Sequence, residues 1–91
     1  MRYLICYDIA ETKIRTRVAK YLERFAIRIQ YSVFTCESTE NDMKAVKKTL
    51  ENITKHSEKK MILLLPVCQA CESRAMTIGT ALEPLSYCVI V

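Results

Sequence analysis

The order of apolar runs and amphipathic stretches predicts an α+β fold for this chain: a ferredoxin-like βαββαβ sandwich with an extra C-terminal strand, forming a homodimer. Three observations lead there. The runs YLICYDI (Tyr3–Ile9), Ile27–Glu37 and MILLLPV (Met61–Val67) have strand composition. The segments between them repeat apolar residues at helical spacing. A last run, YCVIV (Tyr87–Val91), needs a partner, and the sheet edge of a second copy supplies one.

Tyr3–Ile9 is apolar on both alternating sets up to Asp8, which predicts a strand covered on both faces. Glu11–Phe25 reads as a helix whose buried stripe is Ile14, Val18, Tyr21, Leu22 and Phe25. Ile27–Glu37 is long for one strand and lacks a glycine or proline turn. A sharp bend near Gln30–Ser32 divides it into two short strands. Ser38 to about Lys55 is the second helix, capped by Ser38 or Thr39, with Glu40 and Asp42 near its positive end. Its buried face is Met43, Val46, Leu50 and Ile53. Met61–Val67 predicts a buried strand, and Pro66 marks an edge or the strand's end.

The 91 residues make a single domain, 1–91, with half its residues apolar, generous for so short a chain. That excess suggests an apolar face shared with a second copy. The net charge is +4, and the cations cluster. Lys13, Arg17, Lys20 and Arg24 recur at i, i+4, i+7 and i+11, so they share one stripe of the first helix, with Arg15 and Arg28 nearby. Like charges at this spacing cost a few tenths of a kcal/mol per pair. Only Glu23 relieves them, which points to a polyanionic partner rather than an ordinary solvated face. The cysteines are odd in number, five, and no signal peptide precedes the first strand, so free thiols in a reducing cytoplasm are expected. No apolar run has the roughly 18 residues a membrane span needs.

Asp8 is the acid of most interest, ending an apolar strand just before a helix. It serves either as a local cap for the amides near Glu11 and Thr12 or as a ligand. Magnesium can rest on one or two carboxylates plus water, and a twofold axis near Asp8 would bring a second. Cys68-Gln69-Ala70-Cys71 is a lone CxxC: a structural zinc would need a second pair from a partner chain, thioredoxin-type chemistry would need a helix after Cys71, and plain thiols in a loop are the favoured reading. His56 sits in a polar loop. The single glycine, Gly79, excludes glycine-rich phosphate loops. That also counts against a small-molecule regulatory domain.

Taken together, YLICYDI, RTRVAKYLERF and RIQYSVFTCE resemble the CRISPR-associated protein 2 family over Arg2 to about Val67. The resemblance implies a ferredoxin-like homodimer in which C-terminal strands, here residues 84–91, extend the partner's sheet. It implies a role in CRISPR spacer acquisition, either as a metal-dependent endonuclease cutting RNA or double-stranded DNA at the dimer interface, or as a non-catalytic adaptor bridging the subunits of the CRISPR integrase, CRISPR-associated protein 1. The family's metal-binding aspartate corresponds to Asp8, with Mg2+ or Mn2+ as cofactor. Its neighbouring functional positions fall on Tyr7, Arg15, Arg17, Arg28 and Phe34, with Ser32 in the same block. On this reading the catalytic set is Asp8, Tyr7, Arg17, Arg28 and Phe34. Lys13, Arg15, Arg17, Lys20, Arg24, Arg28 and Ser32 bind nucleic acid. Arg28 suits a phosphate, being a forked cation. Phe34 packs against a base or fills the core, and Tyr7 orients Asp8 or is core. Of Arg15 and Arg17, which lie on different faces, Arg17 belongs to the basic stripe and is the better phosphate ligand.

Overall fold

The computed structural model describes residues 1–79. Its elements are β1 (Arg2–Ile9), α1 (Thr12–Leu22), β2 (Ile27–Gln30), β3 (Val33–Glu37), α2 (Glu40–Ile53), β4 (Lys60–Val67) and a single helical turn, α3 (Gln69–Glu72). The strands form one antiparallel sheet in the order β2-β3-β1-β4. This is the βαββαβ arrangement expected from the sequence. The expected strand at Tyr87–Val91, and the 84–91 segment as a whole, lie outside the described residues.

β1 is central because its alternation supplies the core. Tyr3, Ile5, Tyr7 and Ile9 are all buried on one side. Val18 and Leu22 of α1, Met43, Val46 and Leu50 of α2, and Phe34 and Cys36 of β3 complete the cluster. Both long helices therefore cover one face of the sheet. Opposite them Leu4 and Cys6 are half-buried and Asp8 is exposed. The expectation that both faces of β1, and the whole of β4, are buried fails in the single chain for that reason. On β4, Met61, Leu63 and Leu65 are 49%, 46% and 44% exposed, and the strand lies at the sheet edge. Pro66 tolerates that edge, having no N–H to leave unpaired.

The break in the Ile27–Glu37 stretch falls at Tyr31–Ser32, as read from sequence. Other boundaries moved. α1 stops at Leu22, and Phe25, assigned to its buried stripe, is exposed in the turn beyond, edge-on to Tyr21 at 5.3 Å. Thr39, not Ser38, caps α2: its hydroxyl accepts from the Asp42 amide at 3.0 Å, while Ser38 donates its own hydroxyl to the Thr39 carbonyl. The CxxC, expected in a loop, winds into α3, with Cys68 as its N-cap.

The connection from β1 to α1 is fixed by Glu11. Its carboxylate accepts from the Ser57 hydroxyl at 2.6 Å and from the Glu58 amide at 3.1 Å, tying the start of α1 to the loop before β4. The Ser57 hydrogen bond, then the Glu58 amide, hold its pKa below the ordinary 4.5. The folded state thus favours the charged form, so the stabilisation is full above the ordinary glutamate pKa and is lost as pH falls through the lowered one. Glu11→Gln should therefore lower the urea midpoint at pH 7, with the gap to wild type closing as the pH drops below that range. A gap that stays constant in acid would show that the charge contributes nothing.

Candidate nucleic-acid interface and metal ligand

The functional candidates gather round the carboxyl end of β1, on its two faces. The pairing of β1 with β3 ends at Cys6–Val33. Beyond it the Tyr7 amide donates to the Ser32 carbonyl at 3.1 Å, so the β2–β3 turn closes against β1 just before Asp8. On its other side β1 stays paired with β4, where Asp8 lies opposite Met61.

Successive strand residues point to opposite faces, so Tyr7 and Asp8 cannot share a site within one chain. Asp8 stands on the open face. Among the described residues its carboxylate accepts no hydrogen bond and enters no ion pair. The local capping role is not realised: α1 has Glu11 as its N-cap residue, and no side chain caps it. Also among the described residues, no group of three or more His, Cys, Asp or Glu side chains is placed to hold a metal.

Tyr7 and Phe34 lie under the helices. Phe34 is fully buried, and its ring stacks on Tyr7 with centroids 6.2 Å apart. The structure therefore gives both rings the core alternative. The Tyr7 hydroxyl donates to the Tyr31 carbonyl at 3.4 Å, and burial, set against the lowering influence of Arg28, pushes its pKa up.

Arg28 joins this core to the surface. Its guanidinium lies 5.0 Å above the Phe34 ring, a cation–π distance. It donates to the Tyr31 carbonyl at 3.1 Å and to Glu23 at 3.2 Å. A cleft of about 230 Å³ opens beside it, lined by Arg15, Thr16, Ala19, Lys20, Glu23, Arg28 and Tyr31. Arg15 is steadied there by donating to the Ile9 carbonyl at 2.9 Å and to the Thr12 hydroxyl at 3.1 Å.

Three of the sequence-predicted cations thus converge: Arg15, Lys20 and Arg28. Lys13 and Arg17 on α1, and Arg24 in the turn after it, are exposed but do not line the cleft. The sequence favours Arg17 as the phosphate ligand, and the cleft contains Arg15 instead. Helical phase separates Arg15 from the basic stripe, but the β2–β3 turn packs on the flank where Arg15 lies. Tyr31, 68% exposed at the cleft's rim, was not among the candidates. Its aromatic character beside two arginines was the available signal. Ser32 is half-buried and contributes its carbonyl to Tyr7.

A small antiparallel sheet with helices on one face, an exposed and unengaged carboxylate on the other and a basic cleft beside it define a ferredoxin-like domain suited to phosphate-bearing partners. The family model described as CRISPR associated protein Cas2 matches residues 1–75, and the chain belongs to that family. It is 35% identical over 80 residues to the CRISPR-associated endoribonuclease Cas2 1 of Archaeoglobus fulgidus, covering 87% of this chain and 84% of that one. The protein of the same name from Methanospirillum hungatei is 40% identical over 85 residues, covering 91% and 87%. Among solved structures, Streptococcus pyogenes Cas2 at pH 6.5 superposes with a TM-score of 0.72 at 26% identity, covering 87% of this chain and all of that one.

The core placement of Phe34 is directly testable. Phe34→Ala should cost about 3–5 kcal/mol in urea unfolding, as buried aromatic truncations do. A loss below about 1 kcal/mol would remove Phe34 from the core and return it to the surface role.

Proposed function

We propose that this chain acts in CRISPR spacer acquisition as a homodimeric endonuclease, hydrolysing phosphodiester bonds with Mg2+ or Mn2+ held at Asp8. The observation that carries this reading is Asp8 itself: an exposed carboxylate, unengaged among the described residues, set in an apolar face. The names of the relatives, endoribonucleases, favour RNA as substrate over double-stranded DNA.

The donor chemistry fits. A hard oxygen ligand with room for water suits Mg2+ or Mn2+. One carboxylate is thin, and a second copy packed on the open face would add its own Asp8. Such a face-to-face partner also accounts for the exposed Ile27, Met61, Leu63 and Leu65, which no described residue covers. When bound, the metal supplies a water of lowered pKa and charge neutralisation at the scissile phosphate. The chain's own residues do the rest. Arg15, Lys20 and Arg28 attract and orient the backbone phosphates, and Lys13, Arg17 and Arg24 extend that field along α1 and the turn after it. These contacts read charge rather than sequence. A cytoplasmic setting belongs to this reading. Among the described residues no helix is long and apolar enough to cross a membrane.

Wild type and Asp8→Asn should be compared on labelled single-stranded RNA and duplex DNA, with Mg2+, Mn2+ or a chelator. The expected result is metal-dependent cleavage that falls to background in Asp8→Asn with binding intact. Binding without cleavage by either protein would instead favour the adaptor that joins the integrase, CRISPR-associated protein 1. Equal cleavage by both would overturn the assignment of Asp8.

Two further measurements test the rest. Arg28→Ala and Arg15→Ala should each weaken binding of every sequence alike and reduce the slope of log affinity against log salt by about 1. An unchanged slope in both would remove the cleft from the interface. Light scattering of the full chain at micromolar concentration should give a dimer. A monomer would overturn the shared site.

A further inference from the structure

We propose that Cys68 and Cys71 form a reversible dithiol–disulfide pair, a thiol-exchange site whose oxidant is a low-molecular-weight disulfide. The geometry carries this. Cys68 takes the extended N-cap conformation, φ −72° and ψ 159°, where β4 runs into α3. Its side chain folds back over the turn, so that Sγ accepts from the Cys71 amide at 3.4 Å. Cys71, three residues on, therefore stands on the same helical turn as the Cys68 sulfur. Both cysteines are exposed to a reagent.

The turn that carries them is anchored. Glu72, next to Cys71, is buried, and its carboxylate meets the Arg2 guanidinium at 3.3 Å. α3 is thereby pinned to the first residue of β1. Holding two reacting groups in place before they meet reduces the freedom lost when the ring closes. The other described cysteines lack this arrangement. Cys36 is buried in the core, where burial raises its pKa, and Cys6 is half-buried on the open sheet face.

The two thiols also have different tasks. The Cys71 amide, then the Cys71 thiol, hold the Cys68 pKa below its ordinary value, while the neighbouring Cys68 sulfur raises that of Cys71. Cys68 is the attacking thiolate and Cys71 the resolving thiol. The Cys68 thiolate attacks one sulfur of the oxidant RSSR, forms a mixed disulfide and expels RS⁻. Cys71 loses its proton to solvent and attacks the Cys68 sulfur, closing the ring and expelling a second RS⁻. The protein loses two electrons and two protons, and the small disulfide becomes two thiols. A small dithiol reverses the exchange.

The full chain, with a chelator present to keep metal off the thiols, is equilibrated in a series of reduced and oxidised glutathione buffers. It is then acid-quenched, alkylated with N-ethylmaleimide and cut with trypsin. The peptide Met61–Arg74 holds both cysteines. The expected result is that oxidising buffers leave this peptide lighter by two hydrogen atoms and closed to alkylation, reversibly. Cys71→Ser should accumulate glutathione on Cys68, and Cys68→Ser should react more slowly through Cys71. Cys88→Ser should still form the ring, and circular dichroism confirms that each variant is folded. Alkylation of both thiols at every buffer ratio, a persistent glutathione adduct in wild type, or a disulfide running to Cys88 or to a second chain would each overturn the proposal.

Discussion

The two-residue period of β1 is the constraint on which the rest depends. Tyr3, Ile5, Tyr7 and Ile9 must lie under the helices, because among the described residues no other element brings so many large apolar side chains to the core. Once they do, the pleat sends Arg2, Leu4, Cys6 and Asp8 to the opposite face. A register slip of one residue would drive Asp8 beneath α1 and α2, at a cost of several kcal/mol for an unpaired buried carboxylate. The position of Asp8, the candidate metal ligand, is therefore decided by core packing, not by any interaction of the ligand itself.

The open face is polar at its ends and apolar between. At one end Arg2 is buried between Glu37, at 3.4 Å, and Glu72 of α3, at 3.3 Å. α3 thus lies over the start of β1 and satisfies a cation that the sheet alone would strand in a half-buried position. At the other end stands Asp8. Between them Leu4, Cys6, Val33, Leu63 and Leu65 make a surface too apolar to be left to water without reason. Two charged rims around an apolar centre is the anatomy of an interface.

Much of this was legible from residues. Element order and most of the buried faces of both helices follow from periodicity, which a one-sided core imposes strongly, and the bend near Gln30–Ser32 follows from a stretch too long for one strand. Three features did not follow, each for a physical reason. Phe25 keeps helical phase with Leu22, yet the chain must leave α1 to enter β2, and phase says nothing about where a helix stops. Arg15 is off the basic stripe, and only the non-local packing of the β2–β3 turn makes it a cleft residue. α3 is one turn long, and a single turn has no period to detect. Phe34 and Tyr7 were balanced between core and site in sequence, because a strand residue's face is known only once its register is known.

The basic cleft also has a built-in limit. Arg28 already spends donors on the Tyr31 carbonyl and on Glu23, and its guanidinium lies against Phe34. A phosphate entering the cleft must share or displace the Glu23 carboxylate, which is more than half exposed and exchanges readily with water and salt. Glu23 therefore keeps Arg28 oriented when no ligand is bound, at the expense of some phosphate affinity. Such an arrangement gives each cleft modest strength on its own. A polyanion long enough to reach the cations of two copies gains from both at once, since the second contact is intramolecular. The same pairing that would complete the carboxylate site would then also set the affinity for nucleic acid, so both properties of the chain depend on the apolar face between them.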